Sequence, residues 1–541
     1  MTSRIAQYSA RLIESGWLAA VIVVPLYFDV WSFRVFEPDK LALLRSIALV
    51  MLGAALVLRW EHGLPDRATV RGWLATPLVA PVLALLAVYT LSTATSITPW
   101  LSLTGSYNRL QGLYTFAAYT VVFLGIVALV RDRDQLDRLV MALILPSLPV
   151  ALYGVVQKFG ADPMPWLGDV TQRVASTLGN SIFVAAYLIM VVPLSIYKLI
   201  GAYRDVHEAE DGAPAYAGVL RLAGYFVLLF FQVLAIVLSQ SRGPWLGLMG
   251  AGFFTVLMAV AIHGGRRLLL SLLGVGAVLA ALLVVFNLPG SPLAPLRDVP
   301  YIGRLGRVLE TDRGTGKVRV LIWDGAVSLI ASDPARMIVG WGPESMHWAY
   351  NPFYPPELGN YESRNASPDR SHNETFDALV TTGILGLVAY LGFFTGVFYF
   401  GLKWLGMVGG GADRNRFLAL WIGGGVLAAV GFQLWAGKAT FLGVALPAGM
   451  IAGLFAFVVW QVLRGWVAPG RPGTLLMVGL LGGLIAHFIE IHFGIAIAAT
   501  RTLCFAMAAA LVVVGGLAEA RPALWAAEDA PPDPRPAAAA R

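Results

Sequence analysis

Apolar stretches about twenty residues long recur almost from end to end of this 541-residue chain, and no other feature limits its fold as strongly. A bilayer core about 30 Å thick takes roughly 20 apolar residues per helix. Spans are expected near 12–30, 41–59, 73–92, 112–130 and 138–157, then near 181–200, 217–238, 245–263 and 268–288. After a long break, five more are expected near 376–402, 417–436, 440–462, 473–491 and 494–517. The pattern is that of an all-α polytopic integral membrane protein with 12–14 transmembrane helices, fourteen by this reading. A β-barrel is excluded, because its strands would alternate and be far shorter. The first stretch lacks a small-residue cleavage site after its apolar core, so it is read as a retained span.

Only 13% of the residues are charged and the mean hydropathy is +0.71. Soluble domains carry about 25% charged residues, so a soluble enzyme, a disordered chain and a fibrous repeat are ruled out. The net charge of +7 gives no reason to expect a nucleic acid, since the basic residues sit mostly in short connections. The single cysteine, Cys504, can form no intramolecular disulfide and no Cys-based zinc site, and reads as packing in an apolar stretch.

Lys and Arg in short connections set orientation. Alternate connections are rich in them: Arg59, Arg67 and Arg71; Arg131, Arg133 and Arg138; Lys198, Arg204 and Arg221; Arg266 and Arg267; Lys403, Arg414 and Arg416; Arg464 and Arg471. The intervening ones hold isolated cases, Arg109, Arg242 and Lys438. The rich set is read as cytoplasmic, which puts both termini inside and the long segment outside. Four regions follow: N-terminal helices over 1–288, a large external loop over 289–375, C-terminal helices over 376–517, and a Pro/Ala-rich tail over 518–541 expected to be disordered.

The external loop departs from the short connections, and long loops in compact proteins are usually functional or disordered. Val320, Trp323, Ala326, Leu329 and Ile330 fit one face of a helix that Asp333–Pro334 would stop. The following VGWGPESMHWAYNPFYPP reads as ordered irregular chain near the interface. Arg297, Arg304, Arg307, Arg313, Lys317, Arg319, Arg336, Arg364 and Arg370 outnumber the acids, which suits either an anionic partner or a solvated loop. Next, in SHNETFDALVTTGILGLVAYL, Ser371 and Glu374 have capping-box spacing, so Ser371 is expected as N-cap with His372 in the first helical turn. The positive helix end and nearby arginines disfavour imidazolium, leaving His372 as a neutral general base or a hydrogen-bonding interfacial residue. Arg242, in SQSRGPW between two spans, either meets a ligand or snorkels to headgroups. Arg109 in GSYNRLQGLYTF and Arg173 in TQRVASTLGN stand just before spans on the same side. Thr315-Gly316-Lys317-Val318 lacks the remaining residues of a phosphate-binding loop. Glu490 and His492 are too few for a metal site, and Asn365-Ala366-Ser367 and Asn373-Glu374-Thr375 are sequons of a common kind.

In order, SQSRGPWLGL, RVLIWDGAVSLIASDPARMIVGWGPE and DRSHNETFDALVTTGILGLVAYL resemble the O-antigen ligase and polymerase superfamily, over roughly 100–400 and most strongly over 235–395. The resemblance implies a fold like that of the C-type membrane glycosyltransferases. It implies an inverting enzyme without metal or other cofactor, placed in a bacterial cytoplasmic (inner) membrane with its site facing the periplasm. Its donor would be a glycan on undecaprenyl diphosphate, and its acceptor the lipid A core, another lipid-linked glycan or a protein hydroxyl. By motif, Arg242 and Arg319 would bind the diphosphate and His372 would be the acceptor base, with Arg370, Arg109 and Arg173 as secondary contacts. The ligase branch is favoured over the polymerase and protein O-oligosaccharyltransferase branches. A flippase or other transporter is the competing class, although internal repeats and mid-span charges are then expected.

Overall fold

The computed structural model describes residues 3–518, apart from 33–34, 64, 167, 208–214, 264, 364–365, 469 and 471–472. Arg364, Asn365, Arg471 and, of the tail expected to be disordered, 519–541 lie outside the described residues. The described chain is helical and, within those residues, contains no strand. Eleven of its helices are long and apolar enough to cross a membrane.

Helix α1 (Arg4–Leu26) is capped by Ser3, whose hydroxyl accepts from the Ala6 amide at 3.0 Å. Helix α2 (Glu37–His62) follows. The span expected at 73–92 is bent: α3 (Arg67–Ala75) meets α4 (Val79–Ala94) at 93°. Pro77 cannot continue an amide ladder, and Leu78 takes a left-handed φ of 67°. After α5 (Pro99–Thr104) and α6 (Leu113–Leu129), the span expected at 138–157 is made of α7 (Arg133–Ile144) and α8 (Ser147–Lys158), interrupted at Pro146. Helices α9 (Ser181–His207), α10 (Ala215–Ser239), α11 (Arg242–His263) and α12 (Arg266–Asn287) complete the first set.

The long connection is folded. It holds α13 (Gly314–Ala331), α14 (Pro334–Val339) and α15 (Met346–Ala349). Trp323, Ala326 and Leu329 are buried as the periodicity requires, while Val320 and Ile330 are half-buried, and Leu321 and Ile322 are buried as well. They form a second apolar core with Tyr350, Phe376 and Phe441, separate from the core of the helix bundle. Asp333 stops α13 by capping α14, accepting from Ala335 and Arg336.

Helices α16 (Glu374–Trp404), α17 (Gly411–Ala436), α18 (Leu442–Leu463), α19 (Thr474–Glu490) and α20 (Ala498–Ala518) form the second set. The apolar window of α20 is 94% buried and that of α12 only 6%, so α20 runs through the centre and α12 along the rim. Helix α16 is not the uninterrupted span expected at 376–402. It breaks at Gly383, with φ 68°. The freed carbonyls of Val380 and Thr381 accept from the Trp341 and Gly342 amides at 2.8 and 3.0 Å, as irregular backbone at membrane depth requires. The long connection is thereby stitched to a short half-helix, 374–382, at whose mouth His372 lies.

A candidate active site where three motifs meet

The capping expectation fails by two residues. Asn373, not Ser371, caps α16, its side chain accepting from the Phe376 amide at 3.1 Å. Asn caps as well as Ser, and the groups a capping box would need are otherwise engaged. The Ser371 hydroxyl donates to Asp377 at 2.6 Å, and Glu374 is ion-paired with Arg501 at 2.7 Å. His372 therefore precedes the helix, in a left-handed conformation with φ 55°. A non-glycine residue held there is strained, and its neighbours hold it. Asp369 pairs with Arg109 at 2.8 Å, and Arg370 pairs with buried Glu344. The Ser371 amide donates to Asp377 at 2.7 Å, and the Asn373 amide group donates to the carbonyls of Gly443 (2.7 Å) and His492 (2.9 Å). Asn373 is thus buried in packing, and its sequon is not a surface acceptor. Amid these tethers the half-buried His372 ring makes no hydrogen bond or ion pair among the described residues.

Helix α13 connects this segment to the SQSRG turn. Thr315, Arg319 and Trp323 are spaced four apart and so share one helical face. At one end, Arg242, the first residue of α11, donates to Thr315 Oγ1 at 2.8 Å and to the Arg307 carbonyl, and its guanidinium lies 3.8 Å from Glu310. At the other end, Trp323 Nε1 donates to the Ser371 carbonyl at 2.9 Å. Arg319 sits between, about one 5.4 Å turn from each contact. Its guanidinium, like His372, has no hydrogen-bond or salt-bridge partner among the described residues. Burial pushes it down from 12.5 to about 10, helped by the positive charges of Arg242 and Arg173 and opposed by Glu490. His372 is pushed down from 6.5 to about 4, first by burial, then by Arg319, with Asp369 opposing and Arg109 adding to the fall. The ring is neutral at pH 7, by burial more than by the helix end.

The secondary candidates divide. Arg173 braces the SQSRG turn, donating to the Ser239 carbonyl at 3.1 Å and to Ser241 Oγ at 3.2 Å. Arg109 holds Asp369 from a loop that Arg45 anchors through Thr115 and the Leu110 carbonyl, both at 2.7 Å. Arg370 is buried and committed to Glu344, which also accepts from Ser106 at 2.6 Å. Two further residues lie close by: Arg501 in α20, which sequence reasoning passed over, and Glu490 at the end of α19, which it weighed only as a metal ligand. A charge inside an apolar span was the signal available for both.

Residues 226–391 match the family model for O-antigen ligase. The match covers just under a third of the chain and runs from within α10 to within α16. It includes Arg242, Arg319 and His372, and agrees with the strongest part of the resemblance. Arg109, Arg173, Glu490 and Arg501 fall outside it. No curated protein matches the chain significantly.

Proposed function

We propose that the chain is an inverting, metal-independent membrane glycosyltransferase of the O-antigen ligase type. It takes a glycan from undecaprenyl (polyprenyl) diphosphate and joins it to an acceptor, in the first instance the lipid A core, at the outer face of the cytoplasmic membrane. The observation that carries this reading is the meeting of an unpartnered Arg319 and an unpartnered His372 on either side of the Trp323–Ser371 contact.

Breaking a glycosyl–diphosphate bond leaves growing negative charge on the departing phosphate. Guanidiniums grip phosphate with a planar fork and stay charged, and charge fixed in a dry site is often the largest catalytic term. In this mechanism Arg319, with Arg242 behind it, binds the diphosphate. The acceptor oxygen attacks the anomeric carbon from the opposite face while the carbon–phosphate-oxygen bond breaks. The bond's electrons leave with the lipid diphosphate, and the acceptor's proton goes to a ring nitrogen of His372. The order is self-timing: an arriving diphosphate neutralises the Arg319 charge that holds His372 down, so the base strengthens only when donor is bound. The Lys- and Arg-rich connections support the orientation with both termini cytoplasmic. The helices bordering two of them, α9 and α7, are tied by the Lys198–Asp137 pair at 2.8 Å.

The test is transfer by purified protein in detergent, with EDTA present and a polyprenyl-diphosphate glycan as donor. Lipid A core, a second lipid-linked glycan and a carrier protein are offered separately. Product from lipid A core, lost in His372→Ala and Arg319→Ala, is expected. Product on another acceptor moves the chain to the polymerase or protein-transferring branch. No product, with donor binding unaffected by Arg319→Ala, removes the arginine assignment and favours a transporter.

A further inference from the structure

Glu490 closes α19 and is only 1% exposed, yet neither of its carboxyl oxygens meets a hydrogen-bond donor among the described residues. Burying a polar group without a partner opposes folding, and the packing around it asks for no carboxyl. Gly247 of α11 lies against its Cβ, and Gly494 against its Oε1. The turn that follows Glu490 is wedged between two of the three motifs. On one side the Glu374 amide donates to the Ile491 carbonyl at 3.2 Å, and Asn373 donates to the His492 carbonyl at 2.9 Å. On the other side Gly243 is packed on Phe493, so closely that an added Cβ would sit 2.9 Å from it. Glu490 therefore lies between the start of α11, which carries Arg242, and the start of α16, before which His372 lies. Arg319 lies within reach of its charge without forming an ion pair with it. A guanidinium that lacks an acceptor and a buried carboxyl that lacks a donor thus lie near one another, next to the turns that carry Arg242 and His372.

We propose that Glu490 is a donor-binding residue, its carboxyl accepting a hydrogen bond from a hydroxyl of the sugar that the diphosphate carries. The inference rests on the glycosyltransferase reading above and deepens it. A polyprenyl diphosphate offers acceptors, which suit Arg319, and its hydrocarbon offers nothing polar. Of the donor's three parts, the sugar supplies hydroxyl hydrogens to satisfy Glu490. The arrangement separates a loaded lipid from a spent one: the product, shorn of its sugar, keeps the arginine contacts and loses this one. A buried polar group built to pair with a hydroxyl discriminates strongly against a ligand that lacks it. Glu490 lies outside residues 226–391, so the family match assigns it no role.

The test compares binding of two probes to the full-length protein in detergent: polyprenyl diphosphate alone, and the lipid-linked glycan isolated from the source membrane. Glu490→Ala is expected to weaken the glycan-bearing lipid roughly 10- to 100-fold while changing the bare lipid diphosphate less than twofold. Glu490→Gln, which keeps one acceptor oxygen, falls between. Arg319→Gln weakens both lipids. The thermal midpoint of Glu490→Ala stays level or rises, because an unpartnered buried group has been removed. Equal weakening of both probes, an effect on neither, or a large fall in thermal midpoint overturns the proposal. If the wild type binds neither lipid, the glycosyltransferase reading itself fails, and that result is distinct from the other three.

Discussion

Arg319→Gln should return His372 to a more ordinary basicity in the free protein, and the size of the change can be worked from the geometry. His372 stands at about 4, against 6.5 for a free imidazole, through burial first and the Arg319 charge second. Arg319 lies one turn along α13 from Trp323, which is bonded to the residue before the histidine. As an upper bound, any two like charges as close as about 6 Å interact by roughly 2.8 kcal/mol at an effective dielectric of about 20. That is about two pKa units, and solvent reaching the half-buried ring lowers it to between about one and two. Burial is the larger cause, so the Arg319 share lies at the low end of that range, and the substitution should bring His372 to about 5, still below the free value. The assay is an NMR titration of protein carrying ring-labelled histidine. The chain has seven histidines, and the His372 signal is identified by its loss in His372→Gln. Adding polyprenyl diphosphate to the wild type should move the same signal in the same direction. A wild-type titration near 6.5, or one that Arg319→Gln leaves unmoved, would refute both the electrostatic coupling and the self-timing that depends on it.

Other consequences follow from the same contacts. Arg370→Met leaves Glu344 buried and unpaired, which costs about 3–5 kcal/mol. The double variant with Glu344→Gln should recover part of that loss in thermal unfolding, whereas a substrate-binding Arg370 would show no such recovery. Trp323→Phe keeps the ring packed against Phe376 but deletes the bond to the Ser371 carbonyl. It should lower kcat several-fold with donor KM little changed, so a pure KM effect would contradict the positioning role. Gly383→Ala puts a side chain at φ 68°, 2.2 Å from the Ile338 carbonyl. A positive φ with ψ −165° is a region essentially restricted to glycine and costs an alanine about 1–3 kcal/mol, and the clash adds to it, so the thermal midpoint should fall clearly. Folded His372 takes up its proton only near pH 4, while the unfolded chain does so near 6.5. The unfolded state thus binds the extra proton between those values, and stability falls as pH drops through that window. In His372→Gln the fall should be shallower.

What the sequence made legible follows from the range of the forces involved. Hydrophobicity acts residue by residue along a stretch, so each of the fourteen expected spans corresponds to helix. The breaks at Pro77 and Pro146 are local, each a proline that cannot continue the amide ladder, whereas the break at Gly383 went unread because it depends on partners elsewhere in the chain. Gly383 is the plainest case: an isolated glycine in an apolar run is unremarkable until Trp341 and Gly342 arrive to take the carbonyls it frees. The misplaced cap has the same origin. Ser371 and Glu374 have the right spacing, but Asp377 and Arg501 outbid the backbone for them, and Arg501 is 127 residues away from Glu374. The candidate site was legible as three local motifs because each carries its own residue pattern. What brings them together is Thr315 and Trp323, two unremarkable positions flanking Arg319 by one helical turn each. Glu490 was the least legible of all. A lone acid at the end of an apolar helix looks like an interfacial residue, and only its burial between α11 and α16 marks it as a group awaiting a partner. A scan for charged residues within apolar spans, rather than for motifs, would have flagged Glu490 and Arg501 together, without saying that one is paired and the other is not.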